Sequence, residues 1–177
     1  GRAKVHVDQS ELKSYRFTLY HGYKVKQVTD QTGAALDFRR EYDYVTVTRG
    51  GAAVEYLCLE YTGKSPKYYS SYAGVCLPAN FAYYPIPGYR ELFSDNFYGF
   101  IDCSLPYDTA FDVRCSGRKQ MYCNLAARGD NHFAGNARSI TLLSGYYDTL
   151  KLNNTLVVYP KYADGEIRAR IKKNMGT

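Results

Sequence analysis

Apolar and polar residues alternate with a period of two along much of this chain, a pattern that gives a β-strand one dry face and one wet face. In an α-helix the same residues would scatter around the cylinder. Tyr15-Arg16-Phe17-Thr18-Leu19-Tyr20 places Tyr15, Phe17 and Leu19 on one side. The stretch from Tyr42 to Thr48 is rich in aromatic and β-branched residues, and Arg49-Gly50-Gly51 follows it as a turn. Val54 to Tyr61 is another strand, broken by Thr62-Gly63-Lys64-Ser65-Pro66. Phe97 to Cys103, Ser139 to Ser144 and Thr155 to Tyr159 read the same way. Glu166 to Lys172 separates Ile167, Ala169 and Ile171 from a basic face by the same period. Helical signals are short: Asp8 begins a capping-box-like pattern completed by Glu11, and Gly33 to Arg39 suits a further turn or two. Cys76 to Pro87, with three prolines, reads as an extended connection or a sheet edge. The expected fold is mainly β, an antiparallel β-sandwich with one or two short helices, formed as a single domain over residues 1–177.

No apolar run approaches the roughly 20 residues of a membrane-spanning helix. Gly1-Arg2-Ala3-Lys4 has no apolar signal core, so the expectation is that any secretion signal has already been removed. Cys58, Cys76, Cys103, Cys115 and Cys123 form no CxxC pair and have no histidine at ligand spacing, which argues against a zinc site. Two disulfide bonds and one thiol would suit a secreted protein; five thiols would suit a reducing compartment. The sequon Asn153-Asn154-Thr155 tips the expectation towards secretion.

Nothing in the sequence argues for catalysis, a metal or a cofactor. His6, His21 and His132 lie in no catalytic motif, and His21, before Gly22, reads as a surface histidine at a turn. The acidic residues are scattered without an evident pair. Two other features point to binding. The chain has 20 tyrosines and no tryptophan, and 23 Lys+Arg stand against 17 Asp+Glu, giving a formal charge of +6 that reads as spread along the sequence. Tyrosine joins an apolar ring to a polar tip and suits half-wet contact surfaces. Tyr61, Tyr68, Tyr69, Tyr72, Tyr83, Tyr84 and Tyr89 fall close together, interleaved with Lys64, Lys67 and Arg90. Cations beside aromatic rings can hold phosphate while the rings pack on a choline, a sugar or a base.

Ser104-Leu105-Pro106-Tyr107-Asp108, with Met121-Tyr122 and Arg128-Gly129-Asp130-Asn131 after it, resembles the actinoporins, the pore-forming cytolysins of sea anemones. Lys24 to Gly33 is similar to that family's strand and turn after its N-terminal helix, and Ser144 to Tyr147 and Asn154 to Tyr159 are similar to its closing strands. The resemblance implies a β-sandwich that recognises choline-headed lipid, with Ser104, Pro106, Tyr107 and Tyr122 in the binding region. The chain departs from the family in its five cysteines, its lack of tryptophan and a shorter stretch from Asp108 to Arg128. Gly1 to Tyr23 is also too polar for a long insertion helix. Tyr84-Pro85-Ile86 and Gly117 to Cys123 bear a fainter similarity to secreted fungal guanyl-specific ribonucleases and their non-catalytic effector relatives, which would imply RNA as partner. A viral jelly-roll structural protein is the third architecture compatible with the pattern.

The expected function is that of a secreted, toxin-like or effector-like binder of a membrane lipid head group or a host surface receptor, with pore formation lost. Nucleic acid is the alternative partner. The expected contact residues are Ser104, Pro106, Tyr107, Tyr122, Tyr68, Tyr69 and Tyr72.

Overall fold

A computed structural model describes residues 1–7, 12–51, 53–90 and 103–175. The fold is mainly β, and among the described residues every strand pairing is antiparallel. The helix start at 8–11 and all but the last residue of the strand expected at 97–103 lie outside the described residues. Contacts group the chain into two compact units: Gly1–Pro66 with Ala79–Tyr107, and Lys67–Pro78 with Asp108–Thr177.

Unit 1 holds β1 (Arg2–His6), β2 (Ser14–Thr18), β3 (Tyr23–Thr29), β4 (Phe38–Glu41), β5 (Tyr44–Thr48) and β6 (Tyr56–Gly63); after β7 (Gly74–Leu77) of the other unit comes β8 (Ile86–Pro87). One sheet has the order β1-β6-β3 and the other β4-β5-β2-β8. Alternation decides what lies between them. Tyr15 and Phe17 of β2 and Val45 and Val47 of β5 point inward and meet Val28 of β3 and Leu57 and Leu59 of β6 in one buried cluster. Each such side chain contributes about 1.5–3 kcal/mol by leaving water. Outward positions on the same strands carry Arg16, Thr46, Cys58 and Glu60. The short β8 ends its sheet's strand order, a place that suits its proline, Pro87.

Gly33 to Arg39 is not helical. The Asp30 carboxylate accepts hydrogen bonds from the backbone N–H groups of Thr32 and Ala34, at 2.8 and 3.0 Å, and turns the chain there. Gly33 has φ of +88°, and extended structure resumes at β4.

Unit 2 begins with a single 3-10 turn at Lys67–Tyr69 and β7. It continues with β9 (Thr109–Arg114), β10 (Met121–Cys123), β11 (Ala126–Gly129), β12 (His132–Ala137), β13 (Leu142–Gly145), β14 (Tyr147–Leu152) and β15 (Thr155–Pro160). The sheets run β10-β13-β7 and β11-β12-β9, beside a β14-β15 hairpin. Leu125, Phe133, Ile140, Tyr147 and Tyr159 are buried here. Arg128-Gly129-Asp130 ends β11 and enters an exposed turn in which Asn131 has φ of +53°.

The last element corrects the expectation of a strand at Glu166 to Lys172: it is a helix, α1, from Asp164 to Met175. Ile167 and Ile171 are four apart, so they share a helix face as readily as a strand face. The polar residues break the tie. Arg168 pairs with Asp164 at 2.6 Å and Arg170 with Glu166 at 2.7 Å, both i,i+4 contacts that only a helix forms, and the acids occupy its first turn.

Gly145 faces Gly74 across the β13–β7 pair, at φ of +152° and +145°. A Cβ on Gly145 would overlap the Ala73 carbonyl oxygen, and one on Gly74 would overlap that of Ser144. Gly50 has open space around its Cβ position. Replacing Gly145 with Ala is expected to cost at least about 1–3 kcal/mol in chemical denaturation, whereas Gly50→Ala stays within about 0.5 kcal/mol of the parent. Equal midpoints for the two variants would refute the close approach.

Candidate binding surfaces

Sorting the charges by unit corrects the reading that they are spread evenly. Residues 1–66 and 79–107 carry 11 Lys+Arg and 11 Asp+Glu, whereas residues 67–78 and 108–177 carry 12 Lys+Arg and 6 Asp+Glu. The whole excess of six positive charges belongs to unit 2. Such asymmetry marks a surface that attracts anions.

Unit 2 also presents aromatic rings to water. Tyr68, Tyr72, Tyr146 and Tyr162 are exposed, Tyr72 completely so. The Lys119 ammonium sits over the Tyr146 ring at 4.2 Å from its centre, and the Arg168 guanidinium lies 5.9 Å from that of Tyr159. Tyr68 and Tyr69 pack together at 4.5 Å, and Ser70 bridges to Val75 of β7, which fixes that turn against the sheet. Tyr122, half-buried on β10, meets the edge of Tyr147 at 6.3 Å. Burial, then the Asp148 charge, pushes its hydroxyl pKa up, so Tyr122 serves as a neutral donor or acceptor.

The expected contact residues therefore divide. Tyr68, Tyr69, Tyr72 and Tyr122 belong to unit 2, and Ser104, Pro106 and Tyr107 belong to unit 1. In the Ser104-to-Asp108 segment Leu105 is buried, while Pro106 and Tyr107 are exposed. The tyrosine run from Tyr61 to Tyr89 divides too: Tyr83 is buried, Tyr61 packs against the unit 1 core, and Tyr68, Tyr72 and Tyr89 face water.

One constellation in unit 1 was invisible in the sequence. The buried carboxylate of Asp43 accepts the backbone N–H of His21 at 2.6 Å, and the same oxygen lies 3.0 Å from His21 Nδ1. A carboxylate can only accept, so the imidazole proton sits on Nδ1. Asp43 and Tyr42 form the two-residue turn between β4 and β5, where Tyr42 has φ of +50°. That strained backbone lays the Tyr42 ring on His21, 4.3 Å centre to centre and 22° from parallel. Arg40 completes the arrangement by donating to the carbonyls of Tyr42 and Leu19 at 2.5 and 2.7 Å. An Asp before a strand and a His before Gly22 were the available signals, but their 22-residue separation concealed the pair.

None of the five cysteines is joined in a disulfide bond. Burial pushes the thiols of Cys76, Cys115 and Cys123 up, so they hold less of the nucleophilic thiolate. The described histidines contact other partners: His6 packs on Tyr56, His21 on Asp43 and His132 on Asp112.

No protein-family model and no curated protein matches the chain. Among solved structures, native leukotriene A4 hydrolase from Saccharomyces cerevisiae is similar at a TM-score of 0.58 and 10% identity. The similarity covers 98% of this chain and 30% of the hydrolase. It is a likeness of fold, and the chain spans less than a third of that protein.

Two variants probe these contacts. Asp43→Ala leaves the His21 amide without its carboxylate and is expected to cost about 1–3 kcal/mol of stability; an unchanged denaturation midpoint would count against the bond. At the start of α1, the Tyr159 hydroxyl and then the Arg168 guanidinium hold the Asp164 carboxyl below its usual range. A depressed folded-state pKa stabilises above the unfolded value of about 4 and loses that contribution as pH falls through the folded value. Side-chain carboxyl NMR should therefore show Asp164 titrating below a typical aspartate, and Asp164→Asn should flatten the acid limb of the stability curve.

Proposed function

We propose that the chain is a non-catalytic binder that docks unit 2 on a phosphate-bearing lipid surface, as a secreted toxin-like or effector-like protein would. The observation that supports this most is the coincidence, on one unit, of the entire charge excess with exposed Tyr68, Tyr72, Tyr146 and Tyr162. Near an anionic membrane each Lys or Arg contributes about 1 kcal/mol, so a handful suffices for reversible attachment. Tyrosine rings suit the head-group layer, where one end of the side chain meets acyl chain and the other meets water. The resemblance of the Ser104-to-Asp108 segment to the lipid-binding turn of actinoporins favours lipid as partner but not the docking of unit 2, since Ser104, Pro106 and Tyr107 belong to unit 1 and only Tyr122 of the expected set drawn from that family lies in unit 2.

In this reading attachment is peripheral, through the charged and aromatic side chains of unit 2. No helix among the described residues is long and apolar enough to cross a membrane. The helix α1 places two isoleucines among six charged residues between Asp164 and Lys173, too little apolar surface for deep insertion.

Flotation with vesicles of phosphatidylcholine, with and without phosphatidylserine, tests the proposal. The protein should float with the anionic vesicles at about 0.05 M salt and largely dissociate at about 0.5 M, where screening is strong. Arg118→Glu with Lys119→Glu should weaken flotation at least about tenfold, because both charge and the Tyr146 contact are lost. Absence of flotation at low salt, or salt-sensitive binding to single-stranded RNA in place of vesicles, would overturn the lipid reading.

A further inference from the structure

We infer that the outward face of the β1-β6-β3 sheet in unit 1 binds single-stranded nucleic acid, with its lysines on the phosphates and His6 against a base. The inference concerns a different unit from the proposed lipid surface and does not rest on it.

Unit 1 is neutral as a whole, yet its charges are sorted. Alternation turns Val5, Val28, Leu57 and Leu59 of this sheet towards the core. The positions between them face water: Arg2, Lys4 and His6 on β1 and Lys24 and Lys26 on β3 are all exposed. Lys64, just past the end of β6, is exposed too. The pairing sets Arg2 beside Glu60, Lys4 beside Cys58 and Lys24 beside Thr62. A register shift between Val25 and Gln27 makes Lys26 an extra residue of β3, and a bulge of that kind re-aims a side chain. Glu60 is the one acid of these three strands, and Arg2 engages it at 3.7 Å. The other described acids of the unit lie elsewhere. Asp37, Glu41 and Asp43 belong to β4 and the turns beside it, and Asp30 and Glu55 to the connections after β3 and before β6. Lys4, Lys24, Lys26 and Lys64 have no ion pair among the described residues. The face is therefore a row of uncompensated cations, which an anionic chain complements.

Both ends of the row are shaped for such a chain. At one end lies an open groove of about 490 Å³ lined by Gly22, Lys24, Thr62, Gly63 and Lys64. Its floor is bare main chain, because a Cβ on Gly63 would strike the Gly22 carbonyl oxygen. Two ammonium groups and the Thr62 hydroxyl around such a floor suit a compact phosphate. At the other end His6 pairs with Tyr56, ring centres 5.0 Å apart and planes at 65°. An edge-on contact takes at most one face of the exposed His6 ring, and histidine is among the rings on which unstacked bases pack. The Tyr56 ring is occupied instead by the Lys4 ammonium, 4.1 Å from its centre.

The distance fits as well. Lys24 lies beside Thr62 and His6 beside Tyr56, six residues apart on β6, which is about 20 Å of strand. That length matches about six nucleotides at the ~3.4 Å spacing of a stacked strand. Cations that track a backbone, with a ring beside them, form the combination that holds single strands without regard to sequence. A sulfated polysaccharide would use the cations and leave the ring idle, so His6 is what favours nucleic acid.

Fluorescence anisotropy of the intact protein with a labelled oligouridylate of about ten nucleotides tests the inference. Four neutralised phosphates on a single strand give a slope of about −2.8 in log affinity against log salt. Affinity should therefore fall about fiftyfold between about 0.05 and 0.2 M. Lys24→Gln with Lys26→Gln should weaken binding at least about tenfold and flatten the slope by about 1.4. His6→Ala should cost about fivefold and leave the slope unchanged. Both variants should keep the parent's denaturation midpoint, which shows that they fold. The unit 2 variant, Arg118→Glu with Lys119→Glu, should bind the oligonucleotide within about twofold of the parent, because its charges are screened from this face. Absence of binding at about 0.05 M salt would overturn the inference, as would parental affinity in the lysine variant or loss of binding in the unit 2 variant. Tighter binding of a sulfated polysaccharide, unaffected by His6→Ala, would assign the face to that partner instead.

Discussion

A single buried carboxylate ties together the end of unit 1 where two connections meet. Asp43 accepts from His21 through its side chain, and its carbonyl oxygen accepts the Leu19 N–H at 2.8 Å. The link between β2 and β3 is thereby clasped to the hairpin between β4 and β5. Arg40 reinforces the clasp from the opposite strand through the carbonyls of Leu19 and Tyr42. A buried carboxylate is costly unless its hydrogen bonds are made, so these contacts specify one arrangement of both loops and fix the exposed stack above them.

The strands were the legible part of the sequence because alternation is a local signal that burial enforces. Tyr15, Phe17, Val45, Val47, Leu57 and Leu59 all lie on the faces that a period of two assigns them. Local pattern failed where it was short. Ile167 and Ile171 fit either element, and the i,i+4 ion pairs decided for a helix. Gly33 to Arg39 looked helical by composition, but Gly33 takes φ of +88° and the Leu36 N–H is donated across to the Val28 carbonyl, where a helix would direct it to residue 32.

The candidate sites were less legible, for a topological reason. The charge excess appears spread in sequence because residues 67–78 and 108–177 are separated by residues of the neutral unit. His21 and Asp43 are likewise brought together by strand pairing rather than by proximity in sequence. The tyrosine run, read as one cluster, is cut between Pro66 and Lys67 and again between Pro78 and Ala79. The sequence did convey one feature of unit 2, exposed rings with polar tips, one of them with a cation over it, as Lys119 lies over Tyr146.

The interleaved path has a consequence for how this protein can be dissected or degraded. The chain passes between its two units three times, after Pro66, Pro78 and Tyr107. Stopping it at Tyr107 would keep all the strands of unit 1 but strand Gly74–Leu77 without β13, the neighbour that satisfies its main-chain groups. An orphaned edge of that kind recruits other chains. A fragment ending at Tyr107 should therefore be prone to aggregate, and a clean version of unit 1 needs residues 67–78 replaced by a short linker. The route of the backbone makes the two units inseparable by any simple truncation.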